Sequence, residues 1–260
     1  MRIIVGKFIE KVKQQTYNNT LMSGHSKWST IKRQKGVADA KRGQLFTKHS
    51  KAITIAVRNA GGVTNSESNF KLRLAIDKAR ASNMPKENIE RAIDRGKGGG
   101  GQSAVELLYE GFGPGGVALM IEALTDNKQR TVAEIKNLLE KNGGILANTG
   151  SVSHMFVKRG EFIVKKEGLE QEDILSKAID AGIEDIEEEG DLMFFYTNPK
   201  DFQKVRLNLE GSGVNIDSAQ IMYVPINYVI LDTAEQSRAL SLIEKVNALD
   251  DVQEVYSNLG

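Results

Sequence analysis

Between Gly24 and Lys48 the sequence reads GHSKWSTIKRQKGVADAKRGQLFTK, in which Lys27, Lys32, Arg33, Lys35, Lys41, Arg42 and Lys48 stand against a single acid, Asp39. Ammonium and guanidinium groups at this density, with few carboxylates to neutralise them, are suited to holding phosphates. Residue types that catalyse or bind metals are sparse. There is no cysteine, and the three histidines, His25, His49 and His154, are too scattered to suggest a zinc centre. Two glycine stretches imitate nucleotide sites. Gly111-x-Gly113-x-x-Gly116 has the dinucleotide spacing, but the residues after it read as a strand, where a pyrophosphate needs a helix N-terminus. GKGGGGQS (96–103) lacks the Gly-Lys-Ser/Thr order of a phosphate loop and follows a helix. The acids of IEDIEEEGD (183–191) have no basic or metal-binding neighbours and read as a solvated strand edge or turn. No catalytic residue, cofactor, metal or small-molecule substrate is expected, and the chain is read as not an enzyme.

The basic stretch belongs to a larger asymmetry. From Met22 to Lys97 seventeen Lys and Arg face six Asp and Glu, whereas from Gly98 to Gly260 fourteen face twenty-seven, so the near-neutral total of +1 hides a basic block joined to an acidic body. That distribution suits a protein whose one end engages a polyanion. The sole tryptophan, Trp28, lies between Lys27 and Lys32 and has two readings. It stacks on an exposed base, or with Ile31 it anchors a short helix on the bundle, the more usual fate of a lone tryptophan.

The elements that must position these charges begin with a helix over 39–60. Phe46, Ile53, Val57 and Ala60 share one arc, and Lys41, Lys48, Lys51 and Arg58 project from the opposite side, so an apolar stripe for the core and a basic stripe for a partner are expected. Gly61-Gly62 ends it. Further helices are expected from about Asn69 to Ala81, and after Pro85 up to a cap at Gly96. Beyond the glycine run, AVELLYE and VALMIEAL read as a hairpin around GFGPGG, and 125–141 as a helix. Residues 154–224 give strand, helix, strand, helix, strand, a split βαβ unit in which MFVKRGEFIVKK is a strand pair or bulged strand. The remainder supplies a strand NYVIL, a helix from Thr233 with Gln236 in capping-box position, and a strand VQEVYSNL.

The expected organisation is therefore α+β, an N-terminal helical bundle followed by two mixed domains, the last a ferredoxin-like insertion. Residues 1–21 read as a frayed extension or mis-set start, 22–97 as the basic helical domain and 98–103 as a glycine linker. Residues 104–150 plus 225–260 form a discontinuous α+β domain, and 151–224 an inserted one. With hydrophobic residues at 40% and charged at 27%, the composition is that of a soluble globular chain. No apolar run approaches the roughly 20 residues that cross a bilayer. The absence of cysteine suits a cytoplasmic address.

Four blocks carry a resemblance: the stretch from Gly24 to Lys48, NMPKENIERAIDRGKGG, YEGFGPGGVALMIEALTDNKQRT and GGILANTGSVSHMF. They closely resemble the YebC/PmpR family of probable transcriptional regulators, whose mitochondrial relatives are translational activators of cytochrome c oxidase subunit I. The resemblance runs from Met22 to the end. It implies a three-domain α+β protein that binds nucleic acid and has no known catalysis, and it supplies no catalytic motif to carry over. The expected function is DNA-binding regulation of transcription. The alternative is a translation factor on RNA within the ribosome. Lys27, Lys32, Arg33, Lys35, Lys41, Arg42, Lys48, Lys51 and Arg58 are the expected phosphate contacts, which position without specifying sequence.

Overall fold

The computed structural model describes residues 39–98, 104–166 and 171–260. They form a mixed α+β chain with two four-stranded sheets.

Helix α1 (Asp39–Asn59) stops where Gly61 and Gly62 adopt φ of 66° and 87°, a conformation that costs glycine nothing. Helix α2 (Phe70–Ala81) starts at Asn69, whose side chain accepts from the Leu72 N–H. The same amide donates to the carbonyls of Ala56 and Val63, so one buried residue caps α2 and secures the end of α1. Helix α3 (Lys86–Lys97) follows Pro85. Ile53, Val57, Leu72, Ile76, Ile89 and Ala92 make the bundle core. Gly96 was expected as a cap, but α3 runs past it. A methyl group there would sit 2.5 Å from Val57 Cβ and 2.9 Å from the Thr54 carbonyl oxygen, so this glycine lets α3 lie directly on α1.

Strands β1 (Val105–Phe112) and β2 (Ala118–Thr125) form the hairpin, paired from Val105↔Thr125 to Phe112↔Ala118. A strand, not a helix, follows Gly116, which removes the nucleotide reading of that glycine motif. Helix α4 (Lys128–Lys141) begins at Asn127, and the short β3 (Ile145–Ala147) returns beside β1.

Residues 157–224 form a unit of their own. Its elements are β4 (Phe156–Lys165), α5 (Gln171–Ala181), β5 (Asp185–Glu189), β6 (Leu192–Thr197), α6 (Phe202–Gly211) and β7 (Ile216–Pro225). The sheet order β5-β6-β4-β7 is the ferredoxin-like split βαβ arrangement. The segment expected as a strand pair or bulged strand is one continuous strand, β4. The acidic stretch forms the edge strand β5, but it was expected to have no basic neighbours and it has two: Asp185 lies 3.3 Å from Arg159, and Glu188 lies 2.8 Å from Lys166 just beyond β4. Phe162 of β4 stacks on Phe202 of α6 with ring centroids 4.6 Å apart.

The chain then rejoins the first sheet. Helix α7 (Thr233–Asn247) is capped by Asp232, whose carboxylate accepts from the Glu235 N–H at 2.8 Å; the cap therefore lies one residue before the expected Thr233. Strand β8 (Val252–Ser257) pairs with β2, giving the order β3-β1-β2-β8. Segment NYVIL forms no strand and makes only one bridge, Val229↔Leu259. Leu119 and Ile121 of the sheet meet Ile135 and Leu139 of α4 and Leu242 and Ile243 of α7 in the core.

Candidate nucleic-acid interface

Helix α1 serves two neighbours. One arc faces α2 and α3. The opposite arc carries Lys48, Lys51, Ile55 and Arg58, a spacing that keeps them in line along the helix. That arc is not a solvated stripe. Ile55 and Lys48 are buried, and Lys48 Nζ donates to the backbone carbonyl of Asn247, the last residue of α7. A helix C-terminus leaves such carbonyls without intrahelical partners, and the dipole there favours a cation. Lys51 Nζ lies 2.5 Å from Asp251 Oδ1. The expectation that Lys48 and Lys51 offer their charges to a polyanion is thus corrected: the end of α7 and the approach to β8 take them up. Nothing local to α1 signals this, because the partners lie 199 and 200 residues away.

Asp251 collects cations and hydroxyls from three parts of the chain. Lys51 binds Oδ1, while Oδ2 receives Arg130 Nη2 at 2.7 Å and has the hydroxyls of Thr131 and Thr125 at 2.7 and 3.0 Å. Burial pushes the Asp251 carboxyl up, but these hydrogen bonds outweigh it and hold the group well below the usual carboxylate range. A third link between the helices and the sheet, Lys71 to Glu106 at 2.8 Å, is exposed on both sides and contributes little.

A second buried acid explains another pair of sequence blocks. Glu110 of YEGFGPGG accepts the backbone N–H groups of Gly150, Val152 and Ser153, at 2.9, 2.5 and 3.0 Å, from the stretch GGILANTGSVSHMF. Burial raises its pKa and these N–H groups lower it by more, so the carboxyl lies below its ordinary value. Both blocks therefore serve to hold a loop in place. His49 has a comparable role within the bundle, with Nε2 2.9 Å from the hydroxyl of Ser82 beyond α2.

The basic surface that remains lies between α1 and α3. A groove of about 740 Å³ runs there. On the α1 side Lys51 and Arg58 border it, and on the α3 side Asn88, Arg91 and Arg95 do so at helical spacing. Gly96 determines the geometry, because the close approach of α3 to α1 brings both rows to one cleft. Thr54 bridges the helices at the base, its hydroxyl donating to the Ala92 carbonyl at 2.9 Å. Arg91 and Arg95 are exposed, and Asp126, the acid on this lining, is bound to Arg130 at 2.9 Å. Among the described residues no carboxylate lies within ion-pair distance of Arg91 or Arg95. Sequence reasoning counted these two arginines only in the domain's charge; their spacing on α3 was the signal that could have singled them out.

The other expected contacts divide as follows. Arg42 is exposed and Arg58 is half-buried on the groove. Lys41 lies on α1. Lys27, Lys32, Arg33, Lys35 and Trp28, with His25, lie outside the described residues. Among the described residues no cluster of His, Cys, Asp or Glu fits a metal ion, and no helix is long and apolar enough to cross a membrane.

Comparison with known proteins accounts for most of the chain. The family model described as the TACO1/YebC protein N-terminal domain matches residues 26–99, and that for the TACO1/YebC second and third domain matches residues 104–259. A protein of Syntrophus aciditrophicus (strain SB), named "Probable transcriptional regulatory protein", is 49% identical over 239 residues, 91% of this chain and 95% of its own. One of the same name from Treponema denticola is 50% identical, covering 92% and 96%. These names describe regulators, not enzymes. The crystal structure of the conserved hypothetical protein Aq1575 from Aquifex aeolicus matches with a TM-score of 0.75 and 41% identity, over 85% of this chain and 91% of that one. From the helical bundle to the last strand, the chain belongs to the TACO1/YebC family.

Proposed function

We propose that this protein is a cytoplasmic, DNA-binding regulator of transcription that grips nucleic-acid phosphates with its helical domain. The observation that carries this reading is the groove of Arg58, Arg91 and Arg95 in a domain with an excess of eleven positive charges. The relatives' names support the regulatory role. Arg42 and Lys41 on α1 extend the contact, together with Lys27, Lys32, Arg33 and Lys35 before it. Such contacts set register and orientation and leave sequence discrimination to other groups. Lys48 and Lys51 hold the domain to the sheet instead.

The test is the affinity of the full chain for duplex DNA as a function of salt. Log affinity should fall by about 0.9 per log unit of salt for each phosphate neutralised. The double variant Arg91→Glu, Arg95→Glu should bind about a hundredfold more weakly and lower that slope by about 2, because each lost phosphate contact removes about one unit. A flat salt response, or a double variant that binds as the wild type does, overturns the assignment.

One observation favours the second reading, a translation factor on RNA. The groove has buried apolar residues at its base, a feature suited to the unstacked bases that RNA presents. Sedimentation of the protein with ribosomes separates the two readings.

A further inference from the structure

The groove between α1 and α3 carries two kinds of chemistry, and phosphate binding uses only one. Arg91 and Arg95 are exposed and form the rim, while Ile55 and Met84, 5% and 6% exposed, lie at the base beside the half-buried Phe46. A site for phosphates alone needs no apolar floor. A nucleotide presents both features at once, an anion and a flat apolar face.

We infer that this groove takes one unstacked nucleotide of a single strand, with its base against Phe46, Ile55 and Met84 and the flanking phosphates on Arg91 and Arg95. This rests on the nucleic-acid reading above and narrows it. Arg91 and Arg95 stand one helical turn apart, about 6 Å along α3, within reach of neighbouring phosphates on one strand. The volume, about 740 Å³, falls within the roughly 300–1,000 Å³ of sites that enclose small ligands. Ser50 lines the same cleft with a hydroxyl, and Asn88 with an amide whose oxygen accepts from Arg91 and whose NH2 can meet a base edge. A duplex keeps its base faces stacked on one another and cannot fill the floor, whereas a looped or melted strand can.

The experiment is a fluorescence-anisotropy titration of the full chain at one salt concentration with four probes of equal phosphate count. They are a single-stranded DNA, the same strand made of abasic residues, a duplex of half its length, and a single-stranded RNA. The natural single strands should bind about tenfold more tightly than the abasic strand and the duplex, the gain expected from one stacked base. Phe46→Leu keeps the apolar bulk and removes the ring. It should narrow that gap and leave abasic binding unchanged, while Arg91→Glu weakens all four probes. The DNA and RNA strands tell which sugar the groove accepts. Equal affinity of wild-type protein for natural and abasic strands overturns the base pocket and leaves phosphate binding standing. No binding to any probe at low salt overturns both.

Discussion

Two cation clusters flank α1, and they differ in what they face. At one, Lys51 and Arg130 converge on Asp251, a buried carboxylate also served by two threonine hydroxyls. At the other, Arg91 and Arg95 line a cleft whose acid, Asp126, is bound to Arg130. The first cluster is neutralised from within and holds modules together. The second remains cationic toward solvent. Charge read along the chain cannot separate them, because the neutralising acid comes from the opposite end of the sequence.

The sharpest way to break this contrast is to remove the acid. Asp251→Ala should destabilise the chain by about 3 kcal/mol, the lower end of the cost of breaking a buried charge pair, because both cations can turn to water. Chemical denaturation measures it, and affinity for nucleic acid should not fall. The arginine double variant should do the reverse, losing affinity at unchanged stability. If both variants lose both properties, the clusters are not distinct. Gly96→Ala acts on the cleft itself: the new methyl meets Val57 Cβ and should cost about 1–3 kcal/mol as an overpacked contact, a shift in the thermal midpoint that calorimetry reads. Lys48→Met keeps the buried stem and loses the hydrogen bond to the Asn247 carbonyl, for about 1 kcal/mol.

Acid should weaken the first cluster, and with it the loop that Glu110 holds. Both Asp251 and Glu110 lie below their ordinary values of 3.8 and 4.5 in the folded state, so the unfolded chain binds their protons first. Their stabilisation is full above those values and is lost as pH falls through the lower folded ones. Stability measured from pH 5 downward should therefore drop below about pH 4, and Asp251→Asn should flatten the drop. An equal drop in that variant assigns it to other groups.

Much of the architecture was legible because it is local. Asn69 and Pro85 mark helix starts, and the apolar spacing of α1 identifies its bundle face, whereas the helix expected from Thr125 begins only after Asn127 because β2 runs on to Thr125. What escaped was set by distance in sequence or by crowding. The basic stripe of α1 reads as open to a polyanion, whereas Lys48 and Lys51 on it meet the Asn247 carbonyl and Asp251. Gly96 looks like a helix stop until Val57 is seen against it. NYVIL has strand-like composition, yet β2 takes β8 as its neighbour and leaves it one bridge. The groove went unseen because its two rows belong to helices nearly forty residues apart, joined by Thr54 and Ala92, which are 38 positions apart.

The fastening of α1 also sets a timetable for synthesis. Its helices can assemble from nearby residues as soon as they are made, but Asn247 and Asp251 come about two hundred residues later. At about 5–20 residues per second, a nascent chain carries Lys48 and Lys51 uncovered for roughly ten to forty seconds. During that interval the newborn bundle has a wider cationic surface than the finished protein, beside the polyanionic machine that is making it.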